Sequence, residues 1–64
     1  MPNKVKFYRE KLGLTQYQLA EKASVSRNTI CLLETQNNFN VTYEVMNKVA
    51  EALGYTVPTI FFSK

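Results

Sequence analysis

The side chains that offer chemistry in this chain gather between Ser26 and Thr29. Arg27 carries a planar guanidinium that donates two parallel hydrogen bonds, and the Asn28 amide both donates and accepts. Thr29 adds a hydroxyl and a methyl group. These groups recognise a surface that presents its own donors and acceptors, so the run predicts binding and not bond-breaking chemistry.

The composition also disfavours an enzyme. The chain has no histidine and its acids are five glutamates, so the usual general base is missing. Its two glycines, Gly13 and Gly54, are too few and too far apart for a phosphate-cradling loop. A chain of 64 residues leaves little room for a deep pocket. We therefore expect no catalytic residues, no metal and no cofactor.

Length and cysteine usage define the class of protein. The chain has 64 residues, which predicts one domain over residues 1–64. The lone Cys31 allows no internal disulfide, and small secreted scaffolds usually need one, so we expect a cytoplasmic protein. No apolar run approaches the roughly 18 residues of a membrane span. The net charge of +3 favours an acidic partner without identifying nucleic acid.

Apolar residues recur at helical spacing in the first third of the chain. The first helix has its apolar positions at Val5, Tyr8 and Leu12. Gly13 marks its end. Thr15 and Gln18 have the spacing of a capping box, which predicts the start of a second helix.

The remaining chain predicts further short helices. Ser26 is the cap candidate for a third helix, from 26 to about 35, and the Asn-rich residues 36–41 are predicted to be a loop. Thr42 and Gly54 delimit a fourth helix. Residues 56–62 fit a last short helix, or alternatively a strand over 59–62. The predicted core contains Val5, Tyr8, Leu19, Val25, Ile30, Leu33, Met46, Val49 and Leu53.

The second and third helices have the spacing of a helix-turn-helix unit. They are joined by about three to four residues, the usual length of that turn. Ala20 is small at the point where two crossing helices approach, and branched apolar residues follow at Val25, Ile30 and Leu33. A steep helix crossing needs this combination of small and branched side chains.

The chain resembles the Cro/XRE-type helix-turn-helix family of phage repressors and bacterial transcriptional regulators. The resemblance lies in LGLTQ at 12–16, LAEKA at 19–23, VSR at 25–27, Ile30, LE at 33–34 and VAEALG at 49–54. It spans about residues 4 to 62 and implies an all-α, lambda-repressor-like bundle of four to five helices. Ser24 departs from the glycine usual in the turn, which costs on the order of 1 kcal/mol if its backbone is left-handed. The loop before Val41 departs too, because it is one residue longer, lacks the glycine and carries Phe39.

The resemblance implies that residues 26–35 form a recognition helix in the major groove of DNA. The implied base contacts are Arg27, Asn28, Thr29 and Leu32. The implied phosphate contacts are Gln16, Tyr17, Ser26, Lys6, Asn37 and Asn38. It also implies an ion pair between Arg9 and Glu34.

Structural alternatives exist for several of these residues. Arg27 fits a solvated surface position, and Gln16 could serve only the start of its helix. The Tyr17 ring could be half-buried instead of reaching a phosphate. The asparagines at 37 and 38 are also ordinary loop residues. Cys31 fits a part-buried position on the third helix.

The function implied by the resemblance is a sequence-specific transcriptional regulator, most simply a repressor. Its partner would be double-stranded DNA with a palindromic operator, bound by a homodimer. The implied dimer segment is 55–62, with contacts at Tyr55, Val57, Ile60, Phe61 and Phe62. The alternative is a protein-interaction module, that is, an antitoxin or anti-repressor that binds a protein partner. A third possibility is the DNA-binding half of a longer repressor.

Overall fold

The computed structural model describes residues 3–35 and 41–62, which fold as a bundle of short helices. The α-helices are α1 (Val5–Lys11), α2 (Gln16–Ala23), α3 (Arg27–Thr35) and α4 (Tyr43–Leu53), and a π-helix follows at Pro58–Phe62. The prediction of an all-α bundle is confirmed. The strand alternative for residues 59–62 is wrong, because Ile60 N donates to Thr56 O at 3.2 Å within a helical turn.

The predicted helix starts are confirmed by their hydrogen bonds. Thr15 Oγ1 accepts from Gln18 N at 3.0 Å, and Gln18 Oε1 accepts from Thr15 N at 2.9 Å, which completes the capping box. Thr42 Oγ1 accepts from Val45 N at 3.3 Å at the start of α4. Side-chain caps satisfy N–H groups that a helix cannot pair internally, so these starts follow from local sequence.

Two helices end in the same left-handed conformation. Ser24 has φ 59° after α2, and Gly54 has φ 83° after α4. At each stop the following residue donates its N–H to a carbonyl of the last helical turn, at 3.0 and 2.9 Å. Gly54 adopts this conformation at no steric cost, whereas Ser24 places a Cβ there at about 1 kcal/mol.

The core lies where α2 meets α3 and α4 and where the π-helix meets α1. Its buried side chains are Val5, Leu19, Ala20, Ala23, Ile30, Leu33, Val49, Ala50, Ala52, Leu53, Val57 and Ile60. Tyr8, Val25 and Met46 were predicted to belong to it and instead pack against it, half-buried. Leu12 departs further, with 49% of its surface exposed. Because α1 ends at Lys11, Leu12 lies past its last helical residue and does not extend the apolar stripe.

The position of the C-terminal segment contradicts part of the predicted dimer surface. Val57 and Ile60 are only 3% and 0% exposed, so they belong to the core and are not available to a second copy. Phe61 is half-buried against the same core, whereas Phe62 is 63% exposed. The helical turn sends successive side chains in different directions, so one face of the segment is buried and Phe62 is left outside.

The N-terminal segment is fastened by contacts that the sequence did not predict. Asn3 Oδ1 accepts from Val5 N at 3.0 Å, and Asn3 Nδ2 donates to Leu33 O at 2.8 Å. Lys4 N donates to Ile60 O at 2.8 Å. Asn3 therefore satisfies the first N–H group of α1 and ties this end of the helix to α3, while Lys4 ties it to the π-helix.

Candidate nucleic-acid interface

The helix α3 is amphipathic and presents its first turn to solvent. Ile30 and Leu33 are buried, while Arg27 and Asn28 are exposed at the opening of the helix. Leu32 is half-buried. The apolar pair anchors α3 in the bundle, so the exposed turn is held on a rigid support instead of a loop.

Two hydroxyl groups cap this first turn. Ser26 Oγ accepts from Thr29 N at 3.1 Å, and the hydroxyl oxygens of the two residues lie 2.9 Å apart. Ser26 is exposed and Thr29 is half-buried. Both side chains therefore have a partner within the protein, and their contacts with DNA stay predictions.

A buried ion pair joins the end of α3 to α1. Arg9 Nε donates to Glu34 Oε2 at 2.6 Å and Arg9 Nη2 donates to Glu34 Oε1 at 3.2 Å. The two side chains are 11% and 2% exposed. Arg9 Nη1 also donates to Leu14 O at 2.7 Å. This bidentate geometry directs the guanidinium at both carboxylate oxygens.

The charge state of this arginine is insensitive to ordinary pH. The hydrogen bond to Glu34 raises the pKa of Arg9, burial opposes that rise, and the net pKa lies above its ordinary value. A raised folded-state pKa stabilises the fold at every pH below the unfolded-state pKa, and this stability is lost only as pH rises through the folded-state value. Arg9 therefore stays charged throughout the physiological range.

Gln16 extends this ion pair to the recognition turn. Gln16 Nε2 donates to Glu34 Oε1 at 3.0 Å, and Gln16 Oε1 accepts from Arg27 Nη1 at 3.5 Å. We call Arg9, Glu34, Gln16 and Arg27 the polar chain. The sequence predicted roles for each of its members but not the link through Gln16. No local pattern could reveal it, because Gln16 and Glu34 are 18 positions apart.

Of the other predicted phosphate contacts, two are exposed and two lie outside the described residues. Tyr17 is 60% exposed, which excludes the half-buried alternative for its ring. Lys6 is exposed on α1. Asn37 and Asn38 lie outside the described residues, so the part of the predicted loop over 36–40 is neither confirmed nor contradicted.

An aromatic surface, outside the polar chain, is formed by two residues of α1 and one residue that follows α4. The rings of Phe7 and Tyr8 meet edge to face at 5.0 Å, and Tyr8 lies 4.2 Å from Tyr55. Lys11 Nζ sits 5.8 Å from the centre of the Tyr8 ring. Phe7 is 59% exposed and Tyr55 36%. We call Phe7, Tyr8 and Tyr55 the aromatic face. Helical periodicity in the sequence gave no signal that Tyr55 would lie beside Tyr8.

Other kinds of site find little support in the residues that the structure describes. They contain no group of three histidine, cysteine or acidic side chains that could hold a metal ion. Cys31 is half-buried on α3, as predicted. Within ranges 3–35 and 41–62, no helix has both the length and the apolar character needed to cross a bilayer.

The fold and the exposed first turn of α3 define a helix-turn-helix protein. A model of the helix-turn-helix domain family matches residues 3–64, and the chain belongs to this family. The chain is 38% identical over 61 residues to an uncharacterised HTH-type transcriptional regulator of Methanocaldococcus jannaschii, covering 95% of this chain and 91% of that protein. It is 31% identical over 61 residues to another from Archaeoglobus fulgidus, covering 95% and 86%.

A solved structure supports the same fold. The chain is similar to a chain of the SinR protein/SinI protein complex, with a TM-score of 0.83 and 29% sequence identity. The match covers 91% of this chain and 56% of that chain, so this protein spans little more than half of it. The resemblance to helix-turn-helix regulators and the fold predicted from it are therefore confirmed.

Proposed function

We propose that this protein is a sequence-specific DNA-binding transcriptional regulator that represses transcription by occupying a promoter site. The observation that carries the proposal is the exposed pair Arg27 and Asn28 on the first turn of α3. In helix-turn-helix proteins the second helix of the unit enters the major groove with its N-terminal residues at the base edges. Family membership supports the same function.

The base contacts follow from the chemistry of this turn. Arg27 donates two hydrogen bonds to guanine O6 and N7, and Asn28 pairs with adenine N6 and N7. Thr29 offers its hydroxyl or its methyl group. Leu32 is half-buried and reaches at most a thymine methyl group.

Contacts with phosphates fix the protein on the duplex without reading sequence. Gln16 is the first residue of α2, where its backbone N–H suits a phosphate oxygen. Tyr17 and Lys6 are exposed and offer a hydroxyl and an ammonium group. Ser26 completes the set that we propose from the described residues.

The protein acts as a homodimer on a palindromic operator. Its longest Cα dimension is 24 Å, whereas half-sites in the major groove lie about 34–36 Å apart. One copy therefore covers one half-site. Two copies bound together read twice as many bases, so the dimer is more specific for its DNA sequence than one copy. Phe62 and Tyr55 keep exposed surface for the dimer contact. We propose a cytoplasmic location, which membership of a DNA-binding helix-turn-helix family supports.

Selection of binding sites from a random DNA pool tests the proposal. We expect enrichment of two inverted half-sites whose centres are one helical turn apart. The Arg27→Ala variant is the control, and it should lose preference for one guanine in each half-site. Absence of any enriched sequence with the folded wild-type protein would overturn the proposal.

A second candidate function is a protein-interaction module of the antitoxin or anti-repressor type. Two observations favour it: the exposed aromatic face, and the similarity to a chain solved as a protein complex. A mobility-shift assay separates the two functions. Purified protein that shifts promoter DNA alone supports the regulator, whereas a shift only with a second protein supports the module.

A further inference from the structure

The outward side of α1 carries an aromatic pair between two lysines. Phe7 is 59% exposed and meets the half-buried ring of Tyr8 edge to face. Lys4 precedes Tyr8 by four positions and Lys11 follows it by three, the two spacings that place side chains on the same face of a helix. The ammonium of Lys11 lies 5.8 Å from the centre of the Tyr8 ring, so charge and ring are adjacent.

This side of α1 faces away from the ion pair that joins α1 to α3. Phe7 and Lys11 stand two positions before and after Arg9, which is about 200° around an α-helix. The Arg9 guanidinium donates to Glu34 and to Leu14 O, so it is directed into the bundle. A molecule that contacts Phe7 and Lys11 therefore approaches α1 from the side opposite its contact with Glu34.

The positive charges beside the rings are not neutralised by the part of the chain that the structure describes. Within it, Lys4 and Lys11 form no ion pair, whereas Arg9 is paired with Glu34. The single carboxylate on α1, that of Glu10, lies 3.8 Å from Arg9. Two ammonium groups beside an exposed ring complement a ligand that offers carboxylates next to an apolar side chain. The net charge of +3 disfavours a second copy of this chain on such a basic surface.

The arrangement of the rings favours a peptide over single-stranded nucleic acid, which also combines negative charge with apolar surface. Successive bases bind by stacking on a series of aromatic side chains. Tyr8 is half-buried, with the Tyr55 ring at 4.2 Å and the Lys11 ammonium at 5.8 Å from its centre. In the aromatic face Phe7 alone is more than half exposed, so a second base has no open ring. An apolar side chain of a peptide needs only contact area beside Phe7.

We propose that the aromatic face, together with Lys4 and Lys11, is the docking site for a second protein, which binds through a segment with acidic side chains on both sides of an apolar anchor. Phe7 supplies the apolar contact, and Tyr8, which packs on Tyr55, supports it. The lysines select acidic neighbours of the anchor and so give the site its specificity. The docking site does not depend on DNA binding, because no residue of the first turn of α3 takes part.

Selection from a library of random peptides tests the chemistry of the partner. Purified wild-type protein is the bait, and enriched sequences are synthesised for binding measurements by fluorescence anisotropy. We expect enriched sequences with aspartate or glutamate on both sides of leucine, phenylalanine or tryptophan. Their binding should weaken as salt rises, because exposed charges are screened. No enrichment, or enrichment of sequences without acidic residues, would overturn the proposal.

Two substitutions on α1 test the site with the synthesised peptide. Phe7→Ser should weaken binding about tenfold or more, because it removes the apolar contact. Lys11→Glu should weaken it roughly five- to tenfold, since it replaces attraction by repulsion. Both side chains are exposed, so circular dichroism should show both variants folded. Unchanged binding in either folded variant would contradict the proposal.

Tyr43→Ser and Lys22→Glu are the matched controls. They make the corresponding changes at exposed positions of α4 and α2. We expect both variants to bind the peptide as the wild-type protein does. If a control loses as much binding as its counterpart on α1, the peptide does not recognise the aromatic face and the proposal is wrong.

Two further measurements separate the other occupants of this surface. A single-stranded oligonucleotide that binds the wild-type protein but not Phe7→Ser would make the surface a nucleic-acid site. Sedimentation velocity of Phe7→Ser should match that of the wild-type protein, and a shift toward monomer would make a second copy the occupant. Either result overturns the proposal. These assays contain no DNA duplex, so their failure is distinct from failure of the proposed DNA-binding function, which would appear as the absence of a selected DNA site.

Discussion

The polar chain and the aromatic face each present some of their side chains to solvent, but different interactions hold those side chains in place. In the polar chain, the solvent-exposed Arg27 is linked through Gln16 to a carboxylate that is 2% exposed. In the aromatic face, the rings of Phe7 and Tyr8 meet edge to face. Hydrogen bonds fix direction, whereas ring contacts mainly supply area. The first surface is therefore built to read a defined pattern, and the second to add contact area with little directional preference.

This difference predicts that substitutions at the buried end of the polar chain lower the stability of the fold, whereas substitutions in the aromatic face affect it little. The largest effect is expected for Arg9→Met, which leaves the Glu34 carboxylate buried without its main partner. Breaking a buried pair in this way costs about 3–5 kcal/mol. That is comparable to the whole stability expected of a domain this small, roughly 0.05–0.15 kcal/mol per residue. Thermal unfolding followed by circular dichroism measures the loss.

The double variant Arg9→Met with Glu34→Leu is the control for this prediction. It removes both charges, so it should be more stable than Arg9→Met alone. A single Arg9→Met variant with nearly wild-type stability would show that the ion pair does not stabilise the buried end of the polar chain.

The second largest effect concerns the exposed end of the polar chain. Arg27→Ala should weaken binding to the selected site by roughly 1–3 kcal/mol and change binding to unrelated DNA little. Its thermal stability should stay close to wild type, because the side chain is exposed. Fluorescence anisotropy with both DNA duplexes measures the difference. Equal weakening on both duplexes would make Arg27 a phosphate contact instead.

The third prediction tests the aromatic face together with Phe62. Tyr55→Ser combined with Phe62→Ser should weaken self-association by about 1–2 kcal/mol, since truncated aromatic anchors cost that much at interfaces. Sedimentation velocity over a concentration series reports the shift toward monomer. Tyr43→Ser is the matched control, because Tyr43 is an aromatic residue 66% exposed on α4. An unchanged dimer in the double variant would place the interface elsewhere.

The smallest effect is expected at the turn between α2 and α3. Ser24→Gly removes the left-handed strain of a non-glycine residue but adds freedom to the unfolded chain. We expect a net gain of about 0.5 kcal/mol, and thus a rise of a few degrees in the unfolding midpoint. Base discrimination should not change, since the turn already holds its geometry. A fall in stability would mean that the serine side chain contributes more than its backbone strain costs.

The features predicted well are those whose signal is local. Thr15 with Gln18 and Thr42 mark helix starts, because a cap binds an N–H only a few residues away. The exposed first turn of α3 follows in the same way from the periodicity of Ile30 and Leu33.

The features predicted poorly depend on distant neighbours. The tail 55–62 is largely apolar, and the family resemblance assigned Val57 and Ile60 to a dimer surface. Packing of the π-helix against α1 decided that both are buried. Asn3 lacked any signal for its contact with Leu33, which lies 30 positions away.

By itself the sequence determined the helices, their caps and the run Ser26–Thr29, because helical periodicity and capping act within a few residues. It also determined which side chains carry hydrogen-bonding chemistry. Only the tertiary structure decided that Gln16 links Glu34 to Arg27, and that Phe7 and Tyr55 share a face. Hydrogen bonds and ring contacts between distant positions form only after the helices have packed, since it is the packing that brings those side chains within reach.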